Sequence, residues 1–119
     1  MRDLFSLEAE HGVLGAVMLA ALQQNTGLVE DILGQMSSAD FYFADNAALF
    51  DALVECHERG MPIDPVTVGL VQRSLPSGAL LLGYAAEVAN NVPSLANWKT
   101  YAKHVKDLSL IHISEPTRP

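Results

Sequence analysis

The sequence predicts an all-α fold, a compact multi-helix bundle made by one domain. Apolar residues recur three or four positions apart over most of the 119 residues, which is the spacing of a buried helix face. Residues typical of helix starts and ends stand between these runs. No segment alternates apolar and polar side chains as a half-buried strand does, and the connections are short enough for a bundle.

The first helix is predicted to begin at Ser6. This residue can act as an N-cap, and Glu8 and Glu10 would then lie in the first turn, where the helix dipole favours negative charge. Apolar residues follow at helical spacing up to a break at residues 25–27. They are Val13, Leu14, Val17, Met18 and Leu22.

Two further helices are predicted in the middle of the chain. A short helix carries apolar residues over 28–33, and residues 37–40 form the loop that follows it. The third helix begins near Asp45 or Asn46 and ends at Gly60, because glycine readily adopts the left-handed conformation found after helix ends. Its apolar residues are Leu49, Phe50, Leu53 and Val54.

The second half of the chain is predicted to contain three more helices. Residues 61–63 are extended, and Asp64 then places an N-cap before a proline at the first helical position. Residues 75–78 form a turn, and residues 79–89 form a very apolar fifth helix. Ser94 caps the last helix, which contains Trp98, Tyr101, Ala102 and Val105.

The predicted core combines the apolar faces of these helices with an aromatic cluster. Phe41, Tyr42, Phe43 and Phe50 form this cluster, and core packing is the usual role of such residues, with an exposed partner surface as the alternative. The candidate core residues are Val13, Leu14, Val17, Phe41, Leu49, Phe50, Leu53 and Tyr84.

The composition excludes several classes of protein. Half of the residues are hydrophobic, so the chain can bury enough surface to fold and intrinsic disorder is disfavoured. No run approaches the roughly 20 apolar residues of a membrane helix. One cysteine, Cys56, excludes an internal disulfide and fits a reducing cytoplasm. We therefore expect a cytoplasmic domain with no membrane partner.

The charge of the chain argues against direct contact with DNA. The net charge is -7, and an acidic body repels a phosphate backbone. Lys99, Lys103 and Lys106 are spaced so that they form one stripe on a helix. A solvated polar face explains this stripe better than a nucleic-acid site, which would need many more cations.

The sequence contains no pattern of catalytic residues. It has no Gly-x-x-x-x-Gly-Lys-Ser/Thr loop for a nucleotide. Glu8 and His11 form a single Glu-x-x-His, whereas a di-iron bundle needs two such motifs, so His11 is interpreted as an exposed first-turn side chain. Cys56 and His57 are neighbours that cannot face each other on a helix, so a buried structural thiol is the better interpretation. We predict no catalytic, cofactor-binding or metal-ligating residue.

Six short motifs follow one another in register over residues 6 to about 107, and together they resemble a known family. The motifs are Ser-Leu-Glu-Ala-Glu at the start of 6–18, Asp40-Phe41-Tyr42, Leu49-Phe50, 60–64 with Thr67, 84–88, and 92–94 followed by Asn97, Tyr101-Ala102 and Val105. In this order they resemble the N-terminal domain of DnaB-type replicative DNA helicases. Two departures matter little for the fold: Asn46 stands where the family often has His, and a Gly-Gly turn is reduced to Gly78 and Gly83.

The resemblance implies a scaffold without a motor. In this family the N-terminal domain is all-helical and packs pairwise into a trimer-of-dimers collar above a hexameric ring of ATPase domains, where it helps to engage primase and the helicase loader. ATP, Mg and DNA would be bound by the downstream motor domain, so the resemblance implies no cofactor and no ATPase or unwinding activity for this chain. The last helix is the expected subunit contact, because Trp98 and Tyr101 are large side chains near the chain end, and Val105 is expected to join them. The resemblance also implies the cytoplasm of a bacterial or phage-infected bacterial cell.

The end of the chain reads differently from the rest. Residues 108–119 resemble the translation of a transposase adapter used in sequencing libraries, and Pro116 and Pro119 oppose a continued helix. We therefore expect residues 1–107 to form the helicase-like domain, cut before its dimerising hairpin is complete. Residues 108–119 are then a non-native segment or, alternatively, a disordered tail.

Two other classes of function remain open. A stand-alone helical interaction module, such as the helicase-binding domain of a primase, would share the fold but would lack the Ser-x-Glu-Ala-Glu opening. A di-iron enzyme is the third possibility, and metal analysis would decide it.

Overall fold

The structure is a computed structural model that describes the backbone of residues 2–91 and 97–114 and the side chains of residues 7–91 and 97–107. The described part is built from α-helices and one short 3₁₀ helix, which confirms the predicted all-α class. The elements are α1 (Arg2–Leu22), α2 (Thr26–Gln35), the 3₁₀ helix (Ser38–Asp40), α3 (Ala44–Glu58), α4 (Pro65–Val71), α5 (Leu81–Asn90) and α6 (Trp98–Ser114). Along these helices, no stretch is both long and apolar enough to cross a membrane.

Helix α1 is the centre of the domain. It packs against α2, α3, α5 and α6, and its middle section is buried on all sides. A helix surrounded in this way needs apolar side chains around its whole circumference, which the run from Val13 to Ala20 supplies. The remaining helices form a layer around it, with α4 and α5 packed on each other.

The start of α1 differs from the prediction. The helix begins at Arg2, so Ser6 lies inside it and is not its N-cap. Residues 2–5 contain neither proline nor glycine, and an N-cap residue favours a helix start without imposing one. Glu10 therefore lies more than two turns from the start of the helix, where the packing of other helices surrounds it.

The helix boundaries in the middle of the chain follow their capping residues. Asn25 accepts a hydrogen bond from the backbone N–H of Leu28 (3.2 Å) at the start of α2. Asp64 accepts one from the N–H of Thr67 (2.8 Å) and precedes a proline at the first position of α4, as predicted. Gly60 follows α3 with a φ of 71°, a conformation that a residue with a Cβ adopts only with strain.

Helix α5 begins two residues later than predicted. The backbone N–H of Leu75 donates to the carbonyl of Ala79 (2.8 Å), and the N–H of Leu81 donates to the carbonyl of Arg73 (2.9 Å). These bonds close a turn in which Gly78 has a φ of 96°, and they keep Leu80 extended and exposed. The predicted loop at 37–40 is likewise more ordered, since residues 38–40 form the 3₁₀ helix.

Helix α6 closes the domain by packing against α1. The ring of Tyr101 lies directly over Gly12, where a methyl group would overlap it. Trp98 and Val105 are buried on the same side of α6. The helix extends to Ser114, so residues 108–114 of the predicted tail are helical. Ser94, the predicted cap of this helix, and the prolines at 116 and 119 lie outside the described residues. The domain boundary at 107 stays a prediction.

Candidate functional site

Two polar side chains lie in the apolar interior, where α1, α3 and α5 meet. Glu10 is 2% exposed, and Asn46 is fully buried. Burying a carboxylate is costly unless hydrogen bonds replace its lost hydration. The partners of these two groups therefore define the chemistry of this junction.

The Glu10 carboxylate accepts hydrogen bonds from three donors in the segment from residue 42 to residue 46. Its Oε2 accepts from the backbone N–H of Tyr42 (2.6 Å), and its Oε1 accepts from the Nδ2 of Asn46 (2.7 Å). The N–H of Phe43 points to Oε1 at 3.5 Å. The carboxylate thus ties α1 to the segment that leads into α3.

The hydrogen bonds continue from Asn46 to the outer side of the junction. The hydroxyl of Tyr84 on α5 donates to the Oδ1 of Asn46. The Nε2 of His11 lies 2.7 Å from the same hydroxyl, and the two rings meet edge to face with centroids 5.6 Å apart. We refer to Glu10, Asn46, Tyr84 and His11 as the polar chain. His11 is half-buried in it, so its interpretation as an exposed side chain was wrong.

Burial shifts the titration of every ionisable group in the polar chain. It raises the pKa of the Glu10 carboxyl, although the hydrogen bonds from Asn46 and two backbone amides act in the opposite direction. It raises the pKa of Tyr84 to about 12, and nearby carboxylates add to this effect. It lowers the pKa of His11, against the opposing influence of Glu87.

Sequence reasoning missed the polar chain because it placed Glu10 in the first turn of the helix and interpreted His11 as an exposed side chain. One signal was present in the spacing. Glu10 shares a helix face with Val13, Leu14 and Val17, so a carboxylate lies on a stripe that is otherwise apolar. Such a residue must find buried donors, and Asn46 is the polar side chain that interrupts the core face of α3.

The three residues predicted to contact another subunit pack against other helices of this same chain. Trp98 is 5% exposed, Val105 is 2% exposed, and Tyr101 is half-buried against Gly12. The physical reason is that α1 offers α6 an apolar face from the same chain. Trp98 and Val105 therefore present almost no surface to another subunit in this structure. The candidate core residues are buried, except Tyr84, which is half-buried.

The exposed apolar surface is concentrated elsewhere. Four of the large apolar side chains that are exposed in the described residues lie on α4 and at the start of α5, two elements that pack on each other. We call these four the α4–α5 face: Val66, Leu70, Leu80 and Leu82. Leu70 is 79% exposed, and its neighbour Gly69 packs closely against Leu82. Leu22, also 79% exposed, lies at the end of α1 and lines a groove with Pro65 at the start of α4.

An open groove of about 360 Å³ lies between the end of α1, the 62–65 segment and the end of α5. Its walls are mainly apolar and include Met18, Leu22 and Ile63. It could receive an apolar side chain, and it offers few polar groups that would orient a small molecule.

The remaining candidate groups show no arrangement for catalysis. Cys56 is buried, and burial raises the pKa of its thiol. In the described part of the chain, no three His, Cys, Asp or Glu side chains lie close enough together to hold a metal ion. The lysines of α6 are exposed, and Lys106 pairs with Asp40 (3.1 Å).

Comparison with known proteins gives a consistent result. The family model described as the DnaB-like helicase N terminal domain matches residues 2–107. The replicative DNA helicase DnaC of Bacillus subtilis is 32% identical over 111 residues, which cover 89% of this chain and 23% of that protein. The replicative DNA helicase DnaB of Geobacillus stearothermophilus is 34% identical over 113 residues, with the same coverage of 89% and 23%.

A solved structure shows the same architecture. The N-terminal domain of DnaB helicase from Mycobacterium tuberculosis superposes with a TM-score of 0.76 at 30% identity, covering 94% of this chain and 79% of that one. The chain spans less than a quarter of the length of the curated relatives named above. The matched residues include α1 to α5, the first ten residues of α6 and the polar chain, and the chain belongs to the DnaB-like helicase N-terminal domain family.

Proposed function

We propose that this chain is the oligomerisation and partner-binding domain of a replicative DNA helicase. It would form part of the collar, contact further copies of itself, and engage primase and the helicase loader in the bacterial cytoplasm. Membership of the family and the replicative helicases among its relatives support this assignment. In the parent protein, ATP, Mg and DNA would be bound by a separate motor domain.

The observation that carries the proposal is the α4–α5 face. A monomeric soluble protein rarely leaves several large aliphatic side chains exposed on adjacent elements, because each costs free energy in water. Val66 and Leu70 are four residues apart on α4, so they project from the same side of that helix. Contact with another protein would remove them from water. This face replaces α6 as the proposed contact surface.

The test is sedimentation velocity over a range of concentrations, alone and with a bacterial primase. Leu70→Glu introduces a charge into the α4–α5 face, and Gln35→Glu is its control because it introduces the same charge at an exposed position of α2. We expect Leu70→Glu to weaken association about 10-fold, since a central apolar contact is worth about 1–2 kcal/mol. Gln35→Glu should leave association unchanged.

Two outcomes would contradict the proposal. One is a monomer at every concentration that also fails to bind primase. The other is hydrolysis of ATP by the purified chain with Mg and single-stranded DNA present, because we assign no motor to these residues.

A further inference from the structure

We propose that the polar chain is a reversible hydrogen-bond switch, in which the charge on Glu10 sets the direction of every bond and thereby the tautomer of His11. The inference is independent of the proposed oligomerisation role. It rests on four consecutive side chains that connect a buried carboxylate on α1 to a half-buried imidazole on the same helix. Each link joins groups from different helices, namely α1, α3 and α5.

With Glu10 ionised, only one set of directions is possible. A carboxylate can only accept, so Asn46 must turn its Nδ2 towards Glu10 and its Oδ1 towards Tyr84. The hydroxyl proton of Tyr84 then points at Asn46. Its oxygen is left to accept from His11, which must carry a proton on Nε2.

With Glu10 neutral, the directions reverse. The backbone N–H of Tyr42 cannot change its role, so the Oε2 of Glu10 continues to accept from it. The other oxygen then carries the proton and donates to Asn46. The side-chain amide of Asn46 rotates by half a turn, so that its Oδ1 faces Glu10 and its Nδ2 faces Tyr84. Asn46 now donates to the Tyr84 oxygen, and the Tyr84 hydroxyl donates to the Nε2 of His11. That nitrogen must be unprotonated, so His11 is neutral with its proton on Nδ1.

Charged side chains of α3 and α5 act on the polar chain. Glu87 on α5 acts on both His11 and Tyr84, and Asp45 on α3 acts on Tyr84. Asp40 of the 3₁₀ helix and Lys106 of α6 are paired with each other. Negative charge at Glu87 favours the cationic form of His11. A nearby charge also biases the two neutral tautomers, so the test must separate this direct effect from the effect that passes through the Tyr84 hydroxyl.

The decisive variant is Glu10→Gln. Glutamine is neutral and nearly the same shape. We expect its oxygen to face the N–H of Tyr42 (2.6 Å), which lies closer than the N–H of Phe43 (3.5 Å), so that its amide nitrogen faces Asn46. The amide of Asn46 must then turn over as in the protonated state. The expected result is a change of at least ~5-fold in the tautomer ratio of His11, from Nε2–H towards Nδ1–H, as the net value of one hydrogen bond implies.

The tautomer is read from two-bond ¹H–¹⁵N correlations of the ¹⁵N-labelled chain at a pH where His11 is neutral. His57, which lies near Glu30 instead, is the internal control and should not change. In the double variant Glu10→Gln with Tyr84→Phe, the hydroxyl that links Asn46 to His11 is absent. It should return His11 to the Nε2–H tautomer that a free imidazole prefers.

Four results would overturn the switch. The first is an Nδ1–H tautomer in the wild-type protein at a pH where Glu10 is ionised and His11 is neutral, a test that needs no variant. The second is an unchanged tautomer in folded Glu10→Gln. The third is a response of His11 to Glu10→Gln that persists when Tyr84 is replaced by Phe, because the effect would then not pass through the hydroxyl. The fourth result applies if Glu10→Gln does not fold. The switch is then contradicted if the Nε2 proton of His11 exchanges with water as fast in the wild type as in Tyr84→Phe.

Discussion

The two sides of α1 are closed by different physical means. On the α6 side, Gly12 lets the Tyr101 ring lie against the helix backbone, and Trp98 and Val105 complete an apolar contact. On the α3 and α5 side, a buried carboxylate and amide hold the helices through hydrogen bonds. The apolar side depends on shape alone, whereas the polar side also depends on protonation. Substitutions on the two sides should therefore differ in size and in their response to pH.

The largest expected effect is that of Trp98→Ala, which breaks the apolar side. Removing a buried indole loses its transfer free energy and leaves a cavity, so the free energy of unfolding should fall by about 3–5 kcal/mol. The measurement is urea denaturation followed by circular dichroism. Leu22→Ala, at an exposed position, is the control and should change stability by less than ~0.5 kcal/mol. A loss below about 1 kcal/mol for Trp98→Ala would show that Trp98 is not part of the core.

Replacing each of two helical glycines by alanine should change the free energy of unfolding by a smaller amount, and in opposite directions. Gly12→Ala should destabilise the protein by about 1–3 kcal/mol, because the methyl group overlaps the Tyr101 ring and the helices must separate. Gly34→Ala, where the space is open, should stabilise it by about 0.5–1 kcal/mol through helix propensity. Thermal unfolding of the two variants measures both. Equal shifts would mean that α6 does not pack over Gly12.

The smallest effect is a pH dependence that only the polar side should show. Glu10 and Tyr84 both have a raised pKa when folded, so the folded state holds their protons more tightly than the unfolded chain. Their contribution to stability is therefore present below the unfolded pKa and is lost as the pH rises through the folded one. For Tyr84 this window runs from its ordinary value of 10.0 to about 12.

The measurement is the free energy of unfolding as a function of pH for the wild type and Tyr84→Phe. The wild type should lose stability relative to Tyr84→Phe between pH 10 and 12, while the loss caused by Trp98→Ala should be the same at every pH. Parallel curves for wild type and Tyr84→Phe across this window would contradict the burial of the hydroxyl.

The apolar side was largely predictable, and the polar side was not. The spacing of Leu49, Phe50 and Leu53 shows which face of α3 is buried, and Asp64 before a proline marks the start of α4. Periodicity does not tell what covers a face, however. Trp98 and Val105 pack within this chain, whereas the sequence predicts contacts with a second subunit, because the same apolar pattern serves both purposes.

The polar chain could not be predicted because its links are distant in sequence. Glu10 and His11 are adjacent residues of one helix, but their partners Asn46 and Tyr84 come from two other helices. Which of several carboxylates is buried depends on where α1 begins, and the start at Arg2 moved Glu10 from an exposed turn to the interior. Local sequence rules carry no information about such long-range pairing.

The contact between Gly12 and Tyr101 has a consequence for synthesis on the ribosome. Helix α1 precedes α6 in the chain, so it leaves the ribosome before the helix that covers one of its apolar faces. Because synthesis proceeds at about 5–20 residues per second, this face of α1 is uncovered on the nascent chain for some seconds. We expect it to be a binding site for chaperones until α6 docks.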